Sequence, residues 1–259
     1  MTESDGRGPG ANERRPGAAL TGAFNFRDLG GLPTVDGRRT RSGRLFRSDT
    51  LQALTEEDVA HLVRALGVML VMDLRDAGEA IGEGRGLLGD TPLCYVNIPL
   101  EPAPTGQAVR AETALGGATL DFYLGHLDPG SPLLPLALQI LAIALTRPAV
   151  VHCAAGKDRT GLVVALVLSI AGVRDEAIVA DYMATAQNMP RINERFQSWP
   201  RYREHMAAAD PELYRVQEHA IQAFLRELAQ RHGGARAWAT RRGVPDSLLD
   251  MFTARLVED

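Results

Sequence analysis

The stretch Ala149 to Gly161, AVVHCAAGKDRTG, constrains this chain more than any other. It opens on a short apolar run of strand character and leads into a strongly apolar segment with helical character, about Thr160 to Ala171. Between the two, Cys153 and Arg159 bracket a tight turn. A turn that short can curl its backbone N–H groups toward one centre. Gly156 lets the backbone take unusual φ/ψ, and the helix that follows adds its unpaired N–H groups and positive dipole end. The result is an anion cradle the size of a phosphate.

Cys153 lies at the bottom of that cradle. The positive field that binds an anion also stabilises a thiolate, and cysteines at helix N-termini or beside cations ionise at roughly 3.5–7.5 instead of about 8.5. A thiolate under a bound phosphate is placed for in-line attack on phosphorus, giving a phosphocysteine that water then hydrolyses. Ala154, Ala155 and Gly156 supply the backbone of the cradle, and Arg159 can add a bidentate fork to two phosphate oxygens. The Thr160 hydroxyl can donate to the sulfur as it leaves, and His152 can hydrogen-bond the loop and fix the cysteine's geometry. Of the 28 basic side chains all but Lys157 are arginine, and that lysine falls inside the loop. A compact ammonium fits beside Arg159 where a second planar guanidinium would crowd it. A Walker-type nucleotide loop is excluded, because Gly156-Lys157 is followed by Asp158 and no glycine lies five residues earlier.

The rest of the chain sets the loop in an α/β pattern. Strands are predicted at Arg44 to Phe46, Val68 to Leu74, Cys94 to Leu100 and Ala149 to Val151. A helix starts at Thr55 with Asp58 completing a capping box, and another follows Ser131-Pro132 and runs to about Thr146. Strands separated by helices predict a central, mostly parallel sheet with helices on both faces. From Arg174 onward only helical patterns appear: a long helix from Asp210-Pro211-Glu212 to about His232, stopped by Gly233-Gly234, and a last one near Asp246. Residues 1–18 read as a disordered tail, 101–118 as a long loop, and 19–259 as a single domain. The formal charge of -4 argues against nucleic-acid binding. No apolar stretch is long enough to span a bilayer. The N-terminus has no apolar core of the Sec type, and two cysteines do not make a disulfide scaffold. A cytoplasmic protein is expected, with signal-less secretion open. The scattered histidines and the lack of a Cys-x-x-Cys pair predict no metal, and no cofactor is expected. Cys94 reads as an inert strand cysteine, and its pairing with Cys153 under oxidation depends on their separation. His61, His126, His205, His219 and His232 read as surface or cap residues.

HCAAGKDRTG resembles the signature of the protein tyrosine phosphatase family, and its Gly-Lys-Asp-Arg core resembles a bacterial branch with mixed phosphotyrosine, phosphoserine/threonine and phosphoinositide activity. Phe24 to Gly31 (FNFRDLGG), Gly43 to Ser48, Asp73-Leu74-Arg75 with Glu79, and Ile178 to Tyr182 are similar to further motifs of that branch, so the resemblance spans most of residues 20–259. It implies Cys153 as nucleophile, Arg159 as phosphate clamp, Lys157 as an extra positive contact beside the phosphate, and Asp158 as general acid, with Asp73 as the rival acid. It implies supporting roles for Asn25, Arg27, Asp28 and Arg75, a helical cover over the site within 188–218, and a phosphorylated protein or phosphoinositide as partner. The Trp-Pro-Asp acid loop of the eukaryotic enzymes is absent; Ser198-Trp199-Pro200-Arg201 reads as a helix break. Two other readings stay open. One is a phosphate-recognising pseudophosphatase, disfavoured by the intact Cys153 and Arg159. The other is a second kind of thiolate enzyme, such as a sulfurtransferase or arsenate reductase.

Overall fold

The computed structural model describes residues 19–101, 117–208 and 211–259. The predicted tail, most of the 101–118 loop and Asp210 lie outside them.

Five strands form one sheet: β1 (Arg27–Asp28), β2 (Leu45–Ser48), β3 (Leu70–Asp73), β4 (Cys94–Asn97) and β5 (Ala149–His152). Their spatial order is β1-β2-β5-β3-β4. All neighbours run parallel except the two-residue edge strand β1. The continuous apolar runs become the inner strands. Every residue of β2, β3 and β5 is buried, whereas edge strand β4 is partly exposed, as expected for parallel strands covered on both faces.

The helices follow in chain order. First come α1 (Glu56–Ala60, continuing as a π-helical turn His61–Ala65), α2 (Ala77–Glu83), α3 (Gly117–Leu127), α4 (Leu133–Ala144) and α5 (Asp158–Ile170). Then come α6 (Asp175–Met183), α7 (Met189–Ser198), α8 (Pro200–Ala208), α9 (Glu218–His232), α10 (Ala235–Arg241) and α11 (Asp246–Leu256). The predicted capping box at Thr55 and Asp58 forms, and a second one pairs Asp76 with Glu79. In α5 ten of thirteen residues are buried, which is why its sequence is apolar on all sides. The larger core packs helices α3, α4, α5, α9, α10 and α11 on one sheet face. A smaller core, built on Phe26, Phe46, Leu62, Val71 and Val150, covers the other. No described helix is long and apolar enough to cross a membrane.

Several expectations change. The helix α3 falls just where the predicted long loop ends. Ser131 is not a cap; Pro132 holds the N-cap position without a side-chain bond. The single helix expected from 210 to 232 is a 3-10 turn, Pro211–Tyr214, followed by α9 from Glu218. The cause is long-range: the carbonyls of Leu213 and Arg215 are taken by the Lys157 ammonium instead of by a following helical turn. His61 and His126 are buried, not surface residues. His126 Nδ1 lies 2.8 Å from the carbonyl oxygen of Phe122.

Candidate active site

In the parallel register Ser48, Asp73 and His152 end their strands side by side. The loop after His152 therefore emerges at the carboxyl edge of the sheet, where open α/β sheets place ligands. Cys153 is buried at the strand end, and α5 begins at Asp158.

The carbonyls of this loop are turned outward and held. Thr50 N–H donates to Ala154 O at 3.0 Å. Asn25 Nδ2 donates to Ala155 O and Gly156 O, both at 3.1 Å, and Arg47 Nη2 donates to Gly156 O at 2.6 Å. The amides from Ala154 to Arg159 bond to no described carbonyl, so a row of N–H donors remains for an anion. Gly156 has φ +66°, and a Cβ there would stand 2.3 Å from Ser48 O. No other residue fits.

Behind the loop lies a buried ion cluster. Asp181 on α6 accepts from Arg27 Nε at 2.7 Å and from Arg47 Nη1. Arg27 also reaches Asp181 O at 2.7 Å and the Asn25 side-chain oxygen. Burial alone would raise the Asp181 carboxyl, but the two guanidinium groups hold it below the usual range. Of the supporting residues expected from the sequence, Asn25 and Arg27 join this assembly. Asp28 does not; it caps the Gly30 and Gly43 N–H groups at 3.0 and 2.7 Å in a turn of its own. Arg47 and Asp181 were visible beforehand only as parts of family-like motifs, with no role attached.

Arg159 is oriented by Glu79, which accepts from both terminal guanidinium nitrogens, one of them at 3.2 Å. Glu79 is fixed in turn by the α2 capping box. Burial opposes its ionisation, yet the hydrogen bonds and charge of Arg159 hold Glu79 down at about 2. Thr160 is fully buried and its hydroxyl has no partner among the described residues. His152 Nδ1 lies 3.2 Å from Cys153 O, and burial pushes its pKa down.

Two assignments shift. Asp73 is fully buried and is not among the residues that line the cavity. Arg75 binds it in a fork, Tyr95 donates to it at 2.6 Å, and His152 lies 3.8 Å away. Despite burial, His152 and Arg75 hold its carboxyl at about 2. Its oxygens are taken by Arg75 and Tyr95. Lys157, at 2 % exposure, spends its ammonium on the carbonyls of Leu213 and Arg215, the latter at 2.9 Å. It ties the loop to the segment above it. Asp158 does line the cavity, with Lys157 Nζ 3.4 Å away and the Tyr123 hydroxyl donating at 3.3 Å. Tyr123, itself 3.0 Å from the Tyr182 hydroxyl, carried no signal in the sequence.

The cavity over Cys153 holds about 850 Å³. Arg159 and Asp158 form its floor with the loop. Met189 and Phe196 of α7, Tyr202 and His205 of α8, and Leu213 and Tyr214 wall it from above. Cys94 is exposed at the opposite end of the sheet. It pairs in register with Leu70, and Leu70 with Ala149, four residues before Cys153. The offset along the strands is thus about 13 Å, too far for a disulfide. Among the described residues no group of three or more His, Cys, Asp or Glu is placed to hold a metal.

A model of the tyrosine phosphatase family matches residues 18–258. The chain belongs to the tyrosine phosphatase family. Over 206 residues this phosphatase is 31% identical to the triple specificity protein phosphatase PtpB of Mycobacterium tuberculosis, covering 68% of this chain and 71% of that one. It is 28% identical over 222 residues to a tyrosine-protein phosphatase of Nostoc commune, covering 81% and 73%. The catalytic core of the PP-IP phosphatase SIW14 from S. cerevisiae aligns with a TM-score of 0.41 at 15% identity, covering 83% of this phosphatase and 96% of that chain. The relatives make this protein a cysteine-based phosphatase of the tyrosine phosphatase type.

Proposed function

We propose that the enzyme hydrolyses phosphotyrosine in proteins through a phosphocysteine, and also accepts phosphoserine/threonine and phosphoinositide esters. The observation that carries this reading is the loop itself. Its carbonyls are held outward by Thr50, Asn25 and Arg47, and its free amides surround Cys153 beside Arg159. A phosphoryl group seated there accepts from the loop amides and from Arg159. The Cys153 thiolate attacks phosphorus, an S–P bond forms and the P–O bond to the leaving group breaks. Asp158, on the cavity floor, gives its proton to the departing oxygen and then takes one from the water that opens the phosphocysteine. The unpartnered Thr160 hydroxyl donates to the sulfur as it is released.

The test is a panel of phosphotyrosine, phosphothreonine and phosphoinositide substrates, run on wild type and Asp158→Asn. General acids contribute about 10²–10⁴-fold, and alkyl alcohols need that help more than phenols do. The variant is therefore expected to lose activity by that factor on phosphothreonine and by less on p-nitrophenyl phosphate. Equal rates for wild type and variant on phosphothreonine would remove Asp158 from the role. A wild type inert toward the whole panel would end the reading.

We also infer that α7, α8 and the turn after them, within 188–218, act as a lid, because they wall the cavity from above and Lys157 fastens the turn to the loop. Hydrogen exchange in 189–216 is expected to be faster than in α5 and to slow when a phosphate analogue binds. Exchange equally slow in both regions without ligand would count against a moving cover.

A further inference from the structure

The helix α8 brings to the cavity wall a hydroxyl and a charge that the described residues leave unused. Tyr202 is 7 % exposed. Its ring stacks on Phe196 at 4.6 Å with 15° between the planes, and Trp199 packs at 5.8 Å. Its hydroxyl is buried, has no hydrogen-bond partner among the described residues, and lies within electrostatic reach of Glu79 and Arg159. An unpaired buried hydroxyl costs about 1–3 kcal/mol. Keeping one on a cavity wall makes physical sense when a ligand supplies the missing partner.

Arg201 precedes it and lines the same cavity. Its guanidinium extends over α2, where Nη2 would stand 2.4 Å from a Cβ at Gly78. It makes no ion pair with a described residue. The other cations of the cavity are committed: Arg159 to Glu79, and Lys157 to the carbonyls of Leu213 and Arg215. Three of the lining acids are committed too. Glu79 is held by Arg159, Asp158 lies beside Lys157 and Tyr123, and Asp76 accepts from Glu79 N–H at 2.8 Å. Glu101 is the fourth acid of the lining. The cavity is of a size that holds a whole small ligand, well beyond one phosphoryl group.

Building on the phosphatase reading, we propose that Tyr202 and Arg201 form a second anion subsite, which takes a second phosphoryl group of the substrate while the first lies over Cys153. The hydroxyl donates one hydrogen bond and the guanidinium a charge-assisted fork. The preferred substrate class is thus a bisphosphorylated ester.

The experiment compares kcat/KM for two matched pairs, with p-nitrophenyl phosphate as a control on the chemistry. One pair is a singly and a doubly phosphorylated inositol. The other is a tyrosine peptide carrying one or two adjacent phosphotyrosines. In the wild type the doubly phosphorylated member of one pair is expected to win by about tenfold or more, the effect of one hydrogen bond to a charged group. The winning pair identifies the source of the second phosphate. Tyr202→Phe and Arg201→Gln should each reduce that ratio about tenfold. The phenylalanine variant keeps the Phe196 stack, so its Tm should not fall and misfolding is excluded. A wild-type ratio near one in both pairs, or a ratio unchanged in both variants, overturns the subsite. A wild type that leaves p-nitrophenyl phosphate intact overturns the phosphatase reading instead.

Discussion

Cys153→Ser is expected to lower turnover of p-nitrophenyl phosphate by ~10⁴-fold or more while leaving binding of a phosphate analogue intact. The asymmetry follows from how the site is built. The anion is held by loop amides whose carbonyls are fixed from outside by Thr50, Asn25 and Arg47, and by an Arg159 already oriented on Glu79. None of these holds depends on the sulfur. The nucleophile does depend on it, since a serine hydroxyl near neutral pH is not ionised and no described base is placed to activate it. His152 Nδ1 faces the Cys153 carbonyl, and its other nitrogen faces Asp73. Oxygen is also smaller than sulfur, so the fold survives. Absorbance at the nitrophenolate band gives the rate, and calorimetric titration with tungstate gives the binding. Turnover in the serine variant within tenfold of wild type would sink the thiolate mechanism. Loss of tungstate binding would show that the loop needs the sulfur for its shape.

Asp181→Asn is expected to be the most damaging change outside the loop. It leaves the buried Arg47 and the partly buried Arg27 side by side without their shared carboxylate. Removing one member of a buried pair costs about 3–5 kcal/mol, which for a domain of this size is roughly 6–20 °C in Tm. Activity should fall even where the variant is folded, because Arg47 also holds Gly156 O. The pH dependence provides a signed check. The Asp181 carboxyl titrates lower in the folded protein than in the unfolded chain. Its contribution is therefore present above the unfolded value, near pH 4, and is lost as pH falls through the folded one. Denaturation curves of the two proteins should differ most at neutral pH and draw together only below about pH 4. A Tm change under 2 °C, or a gap constant down to pH 3, would show that the cluster does not hold the loop.

The two kinds of element were unequally legible. The inner strands β3 and β5 and helix α5 could be read directly, because burial on all sides leaves an uninterrupted apolar run. The capping box at Thr55 and the stop at Gly233 are local backbone chemistry and could be read too. The start of α9 could not. Pro211-Glu212 is a good helix opening, but a lysine 56 residues earlier takes the Leu213 carbonyl and delays the helix to Glu218. Asp73 shows the same limit at the site. Its position at a strand end suits a catalytic acid, and Arg75 two residues on gives no warning that their side chains close on each other. Lys157 stands out in the sequence as the chain's one lysine, but nothing in its spacing announces the carbonyls of Leu213 and Arg215 that its ammonium meets.

What the sequence determined by itself is the chemistry of one loop: a cysteine, a glycine with left-handed φ, an arginine and a helix N-terminus, all within nine residues. Those relations are local, so bond geometry and backbone sterics suffice to read them. Tertiary structure alone decided which charges are spent and which are free. Glu79 reaches Arg159 across 80 residues, Asp181 reaches Arg47 across 134, and Asn25 reaches the loop across 130. A side chain's role is set by the partner it meets in space, and such partners leave no period or spacing in the chain.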